Sequence, residues 1–171
     1  MTQQATEVPV EQVDGRRDFD FLYGNWTLKN RRLENPLAED PDEWQEFEAS
    51  LETRPILDGL GNIDLYSAPD FPDRGRFGGF GLRLFDPTEK VWRIWWASTV
   101  SDGQIDTPVV GRFENGEGRF ECDDVLGGRA VRVRYEWKDI TATSARWEQS
   151  FSFDGGRTFV TNWIVEATRT A

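Results

Sequence analysis

The 171-residue sequence contains no histidine, a single cysteine and a single methionine. Without histidine, Ser-His-Asp and Cys-His catalysis, His-ligated haem and the usual His-containing zinc sites are all excluded. The lone Cys122 can form neither an internal disulfide nor a thiolate metal cluster, so the fold does not depend on an oxidising compartment. A free cysteine of this kind ordinarily fills a small apolar site. No apolar run reaches the length of a membrane-spanning helix. The opening MTQQATEVPVEQVDG has neither the basic nor the apolar region of a secretory leader, which gives a cytoplasmic location as the expectation. Positive charge is also scarce. Twenty Lys and Arg stand against thirty-one Asp and Glu, a formal charge of −11. Such a surface repels phosphate backbones and gains nothing from an anionic lipid face, so neither nucleic acid nor membrane is expected as a partner.

What the chain has in quantity is aromatic bulk, with eight Trp and twelve Phe, and each such ring buries a large area once enclosed. Residues 1–16 show no periodicity and lack large apolar side chains, and read as a disordered tail before a single domain over 17–171. From there the pattern is that of strands. Residues 25–33 form the first, and the acid- and proline-rich PLAEDPDE links it to EWQEFEASLETR. That segment alternates strictly, with Gln45, Phe47, Ala49, Leu51 and Thr53 on one side and its acids on the other. Asn115-Gly116 supplies the positive-φ pair that a two-residue hairpin requires, and Asp154-Gly155-Gly156 marks another hairpin. The tally is about ten strands without a convincing amphipathic helix. An all-β fold follows, and its nearest-neighbour hairpins favour an antiparallel up-and-down barrel, which also removes open edges.

Alternation then selects the interior. Trp147, Gln149, Phe151 and Phe153 share one face; Thr161, Trp163, Val165, Ala167 and Arg169 share another. Burying Arg93 is costly, so Trp92, Ile94 and Trp96 point inward and Trp95 outward. An outward Trp95 beside Phe85 would form an exposed apolar patch suited to a homodimer. The expected cavity is lined by Trp92, Trp96, Tyr135, Trp137, Trp147, Gln149, Phe151 and Trp163, with a small apolar or aromatic molecule as ligand. These rings can equally pack against one another as core. Three functions therefore stand open: a small-molecule-binding protein; a cofactor-independent enzyme of isomerase, cyclase or decarboxylase type with Tyr135 as acid and Gln149 orienting substrate; and an interaction module with a plugged barrel.

No cofactor is expected. The acid pairs Asp102 with Asp106 and Asp123 with Asp124 read as solvated loop residues, and no loop has the ligand spacing of an EF-hand, so no metal is expected either. Arg54, Arg83, Arg112 and Arg132 are candidates to hold a carboxylate at the barrel mouth, weighed against salt bridges to the acidic surface. Gly78, Gly79 and Gly81, like Gly127 and Gly128, precede no helix and read as turns or strand bends.

Gly24-Asn25-Trp26, preceded by the compact DFDFLY, resembles the Gly-x-Trp signature of lipocalins and their calycin relatives. The resemblance implies that Trp26 closes the barrel floor next to Gly24 and that Arg169, near the end of the last strand, covers it. The strings LDGLGNID, RLFDPTEKVW, PVVGRFENGEG and RWEQSFSFDGGRTFVTNW resemble a group of bacterial lipocalin-like proteins of unknown function. That likeness runs from Asp18 to Arg169 and implies a fold but no activity.

Overall fold

The computed structural model describes residues 14–170. Most of the tail expected over residues 1–16 therefore lies outside the described residues. Ten strands follow one another: β1 (Gly24–Leu33), β2 (Trp44–Ile56), β3 (Gly61–Phe71), β4 (Gly75–Asp86), β5 (Val91–Ser98), β6 (Val109–Glu114), β7 (Glu117–Leu126), β8 (Arg129–Lys138), β9 (Ser144–Ser152) and β10 (Val160–Arg169). Each pairs with its sequence neighbour, and β1 pairs antiparallel with β10, which closes the barrel. Closure gives every strand a neighbour on each side, though β5 and β6 pair over only a short stretch. At the β6–β7 hairpin Asn115 and Gly116 have φ of 52° and 80°, and Glu114 pairs with Glu117 across the turn. The twist of this turn matches that of the flanking strands.

One end of the barrel is shut by the chain that precedes β1. A short 3-10 turn over Asp20–Leu22 carries Phe19 and Leu22 into full burial. Phe19 meets Phe113, Trp92 and Phe120 with ring centroids 4.9, 5.0 and 5.6 Å away. The indole of Trp26 donates to the Leu22 carbonyl at 2.8 Å, and the Arg169 guanidinium lies 4.3 Å from its ring centroid. Arg169 donates to the carbonyls of Phe21 and Tyr23, both at 2.6 Å, and of Ala142 at 3.0 Å. Gly24 is obligatory on two counts: its φ is +112°, and a Cβ there would sit 2.9 Å from Arg169 Nη1. Trp92 belongs to this plug as well, donating from Nε1 to the Gly15 carbonyl at 3.0 Å.

Two features depart from simple alternation. In β3 and β4 the polar residues face inward. Asn62, Asp64, Gly81, Arg83 and Phe85 are buried, whereas Leu65 is 44% exposed. The register places Ile63 beside Leu82 and Leu82 beside Trp95 on the outer wall. Phe85 is therefore not a neighbour of Trp95. It pairs with Trp92, and the two rings pack inside at 5.3 Å. The expected Phe85/Trp95 face does not form, because Arg83 finds its partners inside and carries the same-face Phe85 in with it. The second departure is in β10, where the register to β9 shifts between Thr161 and Trp163. A bulge residue leaves the alternation, and Asn162, which strict alternation from the inward Thr161 and Trp163 puts on the outer face, is buried.

Candidate ligand-binding cavity

Above the plug the barrel stays open. A cavity of about 260 Å³ extends from the buried Arg83 and Asp64 up to Arg32 and Asp106 at the mouth. Its walls are set by register. Along β1, Trp26, Leu28, Asn30 and Arg32 stand on the inner face opposite Arg169, Ala167, Val165 and Trp163 of β10. On the far side Tyr135 pairs with Gln149, and Trp137 with Trp147.

The floor is polar. Arg83 donates from Nη1 to Asp64 Oδ1 at 2.7 Å and to Asn62 Oδ1 at 2.9 Å, while its Nη2 engages Asp64 Oδ2. Thr53 Oγ1 donates to Asp64 Oδ1 at 2.7 Å, and the guanidinium lies 4.8 Å from the Phe19 ring centroid. Both members of this ion pair are about 5% exposed. The fork geometry and the added donors are what make a buried pair tolerable, since either partner alone would be an uncompensated charge. The network explains the inverted pattern of β3 and β4.

Midway up, Asn30 Oδ1 accepts from both Tyr66 Oη and Trp163 Nε1, each at 3.1 Å. These bonds fix two wall rings. Burial pushes the Tyr66 hydroxyl pKa well above its ordinary value. Trp96 lies against the backbone of β4 at Gly79, where a Cβ would come within 2.1 Å of the indole. Gly79 and Gly81 are thus neither turns nor phosphate loops. They clear the space that lets Trp96 lie flat on the wall and Asp64 reach Arg83.

Tyr135 packs on Trp147 at 5.0 Å, and among the described residues its hydroxyl has no hydrogen-bond partner. Burial raises its pKa, and the nearby Asp106, Cys122 and Asp124 add to the effect. The hydroxyl therefore keeps its proton and offers a donor to the cavity. Gln149 gives its Nε2 to Asn162 Oδ1 at 2.7 Å.

The mouth is built by an irregularity. β5 and β6 pair over only Trp92, Arg93 and Ile94; the chain then loops away and returns where the Asp106 N–H donates to the Trp96 carbonyl at 2.8 Å. This return sets Asp106 on the rim. Its pKa is raised, first by partial burial of the carboxyl and then by the charge of Asp124. The loop between β1 and β2 crosses the same end: Arg129 Nη1, at the start of β8, donates to the Leu37 carbonyl at 3.0 Å.

Of the eight residues expected to line the cavity, Trp96, Tyr135, Trp137, Trp147, Gln149 and Trp163 do so. Trp92 does not, because the plug covers it. Phe151 does not either; it lies in a separate surface hollow with Pro36 and Phe153, beneath the β1–β2 loop. Of the four candidate arginines only Arg83 faces inward. Arg132 pairs outside with Asp123 at 2.8 Å, and Arg54 and Arg112 are exposed. Among the described residues no group of acids and thiols is arranged to hold a metal ion. The sequence reading missed Arg32, Asn30, Asp64 and Tyr66. The available signal was Arg83 within the apolar FGLRLF, which called for an acid on the adjoining strand.

The molecule is thus a closed ten-stranded antiparallel barrel, plugged at one end and hollow at the other. The same fold occurs in the S-type phycobiliprotein lyase CPES from Guillardia theta, with a TM-score of 0.56 and 10% identity over 96% of this chain and 99% of that one. The chain also aligns with two redesigned β-barrels. For one, mFAP0 bound to DFHBI, the TM-score is 0.46 at 15% identity over 87% of this chain and 99% of that one. For the other it is 0.44 at 14% identity over 91% and 96%. No family model and no curated protein sequence matches the chain.

Proposed function

We propose that the protein binds a small apolar or aromatic molecule in the upper half of its barrel. The observation that carries this reading is the cavity itself, about 260 Å³ walled by Tyr66, Trp96, Tyr135, Trp147 and Trp163 with a few placed polar groups. Apolar walls around few polar groups are the usual make-up of a ligand site. The volume suits a body of one or two rings, since an apolar cavity of about 150 Å³ holds benzene. The calycin resemblance of Gly24, Trp26 and Arg169 supports a carrier-type barrel and adds no activity.

Binding is favoured over catalysis by the state of the two groups an enzyme would use. Burial first, and then the nearby Asp106, Cys122 and Asp124, hold the proton on Tyr135, away from the balance that general acid catalysis favours near neutral pH. Gln149 is already engaged by Asn162. The test is native mass spectrometry of the protein before and after exposure to an extract of its host. A discrete mass shift that survives gentle desolvation is expected. No adduct, under conditions in which a known lipocalin retains its ligand, would overturn the reading.

A further inference from the structure

Among the described residues Arg32, Arg83 and Arg169 face inward, and their surroundings differ. Arg83 has Asp64 and Asn62. Arg169 has three backbone carbonyls. Arg32 has rings and nothing else. Its guanidinium carbon lies 5.4 Å from the Trp163 centroid and 5.8 Å from that of Phe71, and among the described residues it makes no hydrogen bond and no ion pair.

Arg32 and Arg169 sit at opposite ends of one strand pair, each directly across from a tryptophan: Arg169 from Trp26, and Arg32 from Trp163. The arrangement of arginine on indole is the same at the two ends. Only at the closed end are the N–H donors consumed. A guanidinium is a five-donor fork, and leaving it partly desolvated with those donors idle is unfavourable. Burial and the nearby Arg74 both lower the pKa of Arg32, which signals a cation lacking a counter-charge. Among the described residues no acid pairs with it, and Asp106, which borders the same cavity, lies on the loop leading to β6 across the ring.

We propose that the molecule bound in the cavity carries an anionic group, a carboxylate or another planar oxyanion, and that Arg32 grips it at the mouth. The inference rests on the binding role proposed above and adds the ligand's chemical class. The rings of Tyr66, Trp147 and Trp163 take the aromatic or apolar body. Arg32 presents its fork to the oxyanion in the bidentate manner that guanidinium and carboxylate share. Arg74 adds positive charge from the β3–β4 turn. The ligand's direction follows from the opposite wall, because β1 and β6 stand across the ring from one another and the loop leading to β6 bears Asp106. An anion there would meet a carboxylate. The charged end therefore belongs on the β1 side.

The test is calorimetric titration of the full chain with 2-naphthoate and with 2-naphthamide, which share a two-ring body and differ in charge. The wild type is expected to bind the carboxylate roughly tenfold or more tightly than the amide. Arg32→Gln should bring the two to within about twofold, chiefly by weakening the carboxylate, and Arg32→Lys should retain part of the preference. Continued amide binding certifies that the glutamine variant is folded. Should that variant fail to fold, the wild-type ratio and the lysine variant decide. Equal binding of the two compounds by the wild type, or a preference that survives Arg32→Gln, overturns the anionic class alone. Failure of both compounds to bind the wild type overturns the binding role and this inference with it.

Discussion

The two ends of the barrel are built from the same kinds of residue and do opposite things. At the closed end Phe19, Trp92, Phe113 and Phe120 meet ring to ring, and none of them lines the cavity. At the open end Tyr66, Trp96, Tyr135, Trp147 and Trp163 also meet ring to ring, with centroids between 5.0 and 6.5 Å apart, yet they surround a cavity. The difference lies in what the chain adds from elsewhere. A ring of ten strands is too wide for its own side chains to fill. Filling it takes a separate segment, and the chain before β1 supplies one, at one end only. Aromatic content alone therefore decides nothing about whether a barrel is hollow.

The contrast is broken most severely at its filled half. Phe19→Ala removes the central ring of the plug, and about 3–5 kcal/mol of stability should be lost, the usual cost of deleting a buried phenyl group. Trp147→Ala removes a comparable ring from a wall that already borders empty space, so its cost should be no more than about half of that, while affinity for an aromatic ligand falls. Urea unfolding of both variants, read by far-ultraviolet circular dichroism, gives the comparison. Equal losses would mean that the open end is packed as tightly as the closed one.

A smaller effect is expected from Gly79→Ala. The new Cβ would lie 2.1 Å from the Trp96 indole, which must swing off β4. The room it has to enter is the cavity. Stability should fall by about 1–3 kcal/mol, the range for overpacking, and ligand affinity should fall further than for an alanine placed on the outer wall. Binding that survives the substitution unchanged would show that Trp96 does not border the occupied space.

The sequence made the outline legible for a physical reason. Strands such as β2 and β8 are wet on one face and dry on the other, and alternation records that. The Asn115-Gly116 turn and the Gly24, Trp26 and Arg169 set were legible because each requires particular residue types. What escaped was polarity turned inward. In β3 and β4, Asp64 and Arg83 satisfy one another across the register, so the rule that apolar residues go inside selects the wrong face. That error put Phe85 on the outer wall with Trp95. The plug escaped too, since nothing in DFDFLYGNW reveals that its rings reach Trp92, and so Trp92 was assigned to the cavity. Asn162 was misplaced by a bulge, which alternation cannot register. Arg32 was overlooked because its meaning lies in partners it does not have.

The smallest expected effect tests the charge of the wall facing Arg32. Cys122 shares the inner face with Phe120 and Asp124, and partial burial, then Asp124, Asp123 and Asp106, push its thiol up to about 11 from an ordinary 9.0. The reactive species is the thiolate, so alkylation by iodoacetamide should be slow at pH 8 and should rise about tenfold per pH unit until it levels off near 11. The reagent is uncharged, so its own approach does not confuse the result. The sign for stability follows. The folded state holds this proton more tightly than the unfolded chain, so the contribution is complete below pH 9.0 and is lost as pH rises toward about 11. Tyr66 and Tyr135, both raised by burial, act in the same direction at higher pH. Asp124→Asn should bring the alkylation midpoint down, since of the three carboxylates Asp124 raises the thiol most. If the midpoint already lies near 9.0 in the unaltered protein, the far wall is not the negative surface that would orient an anionic ligand toward Arg32.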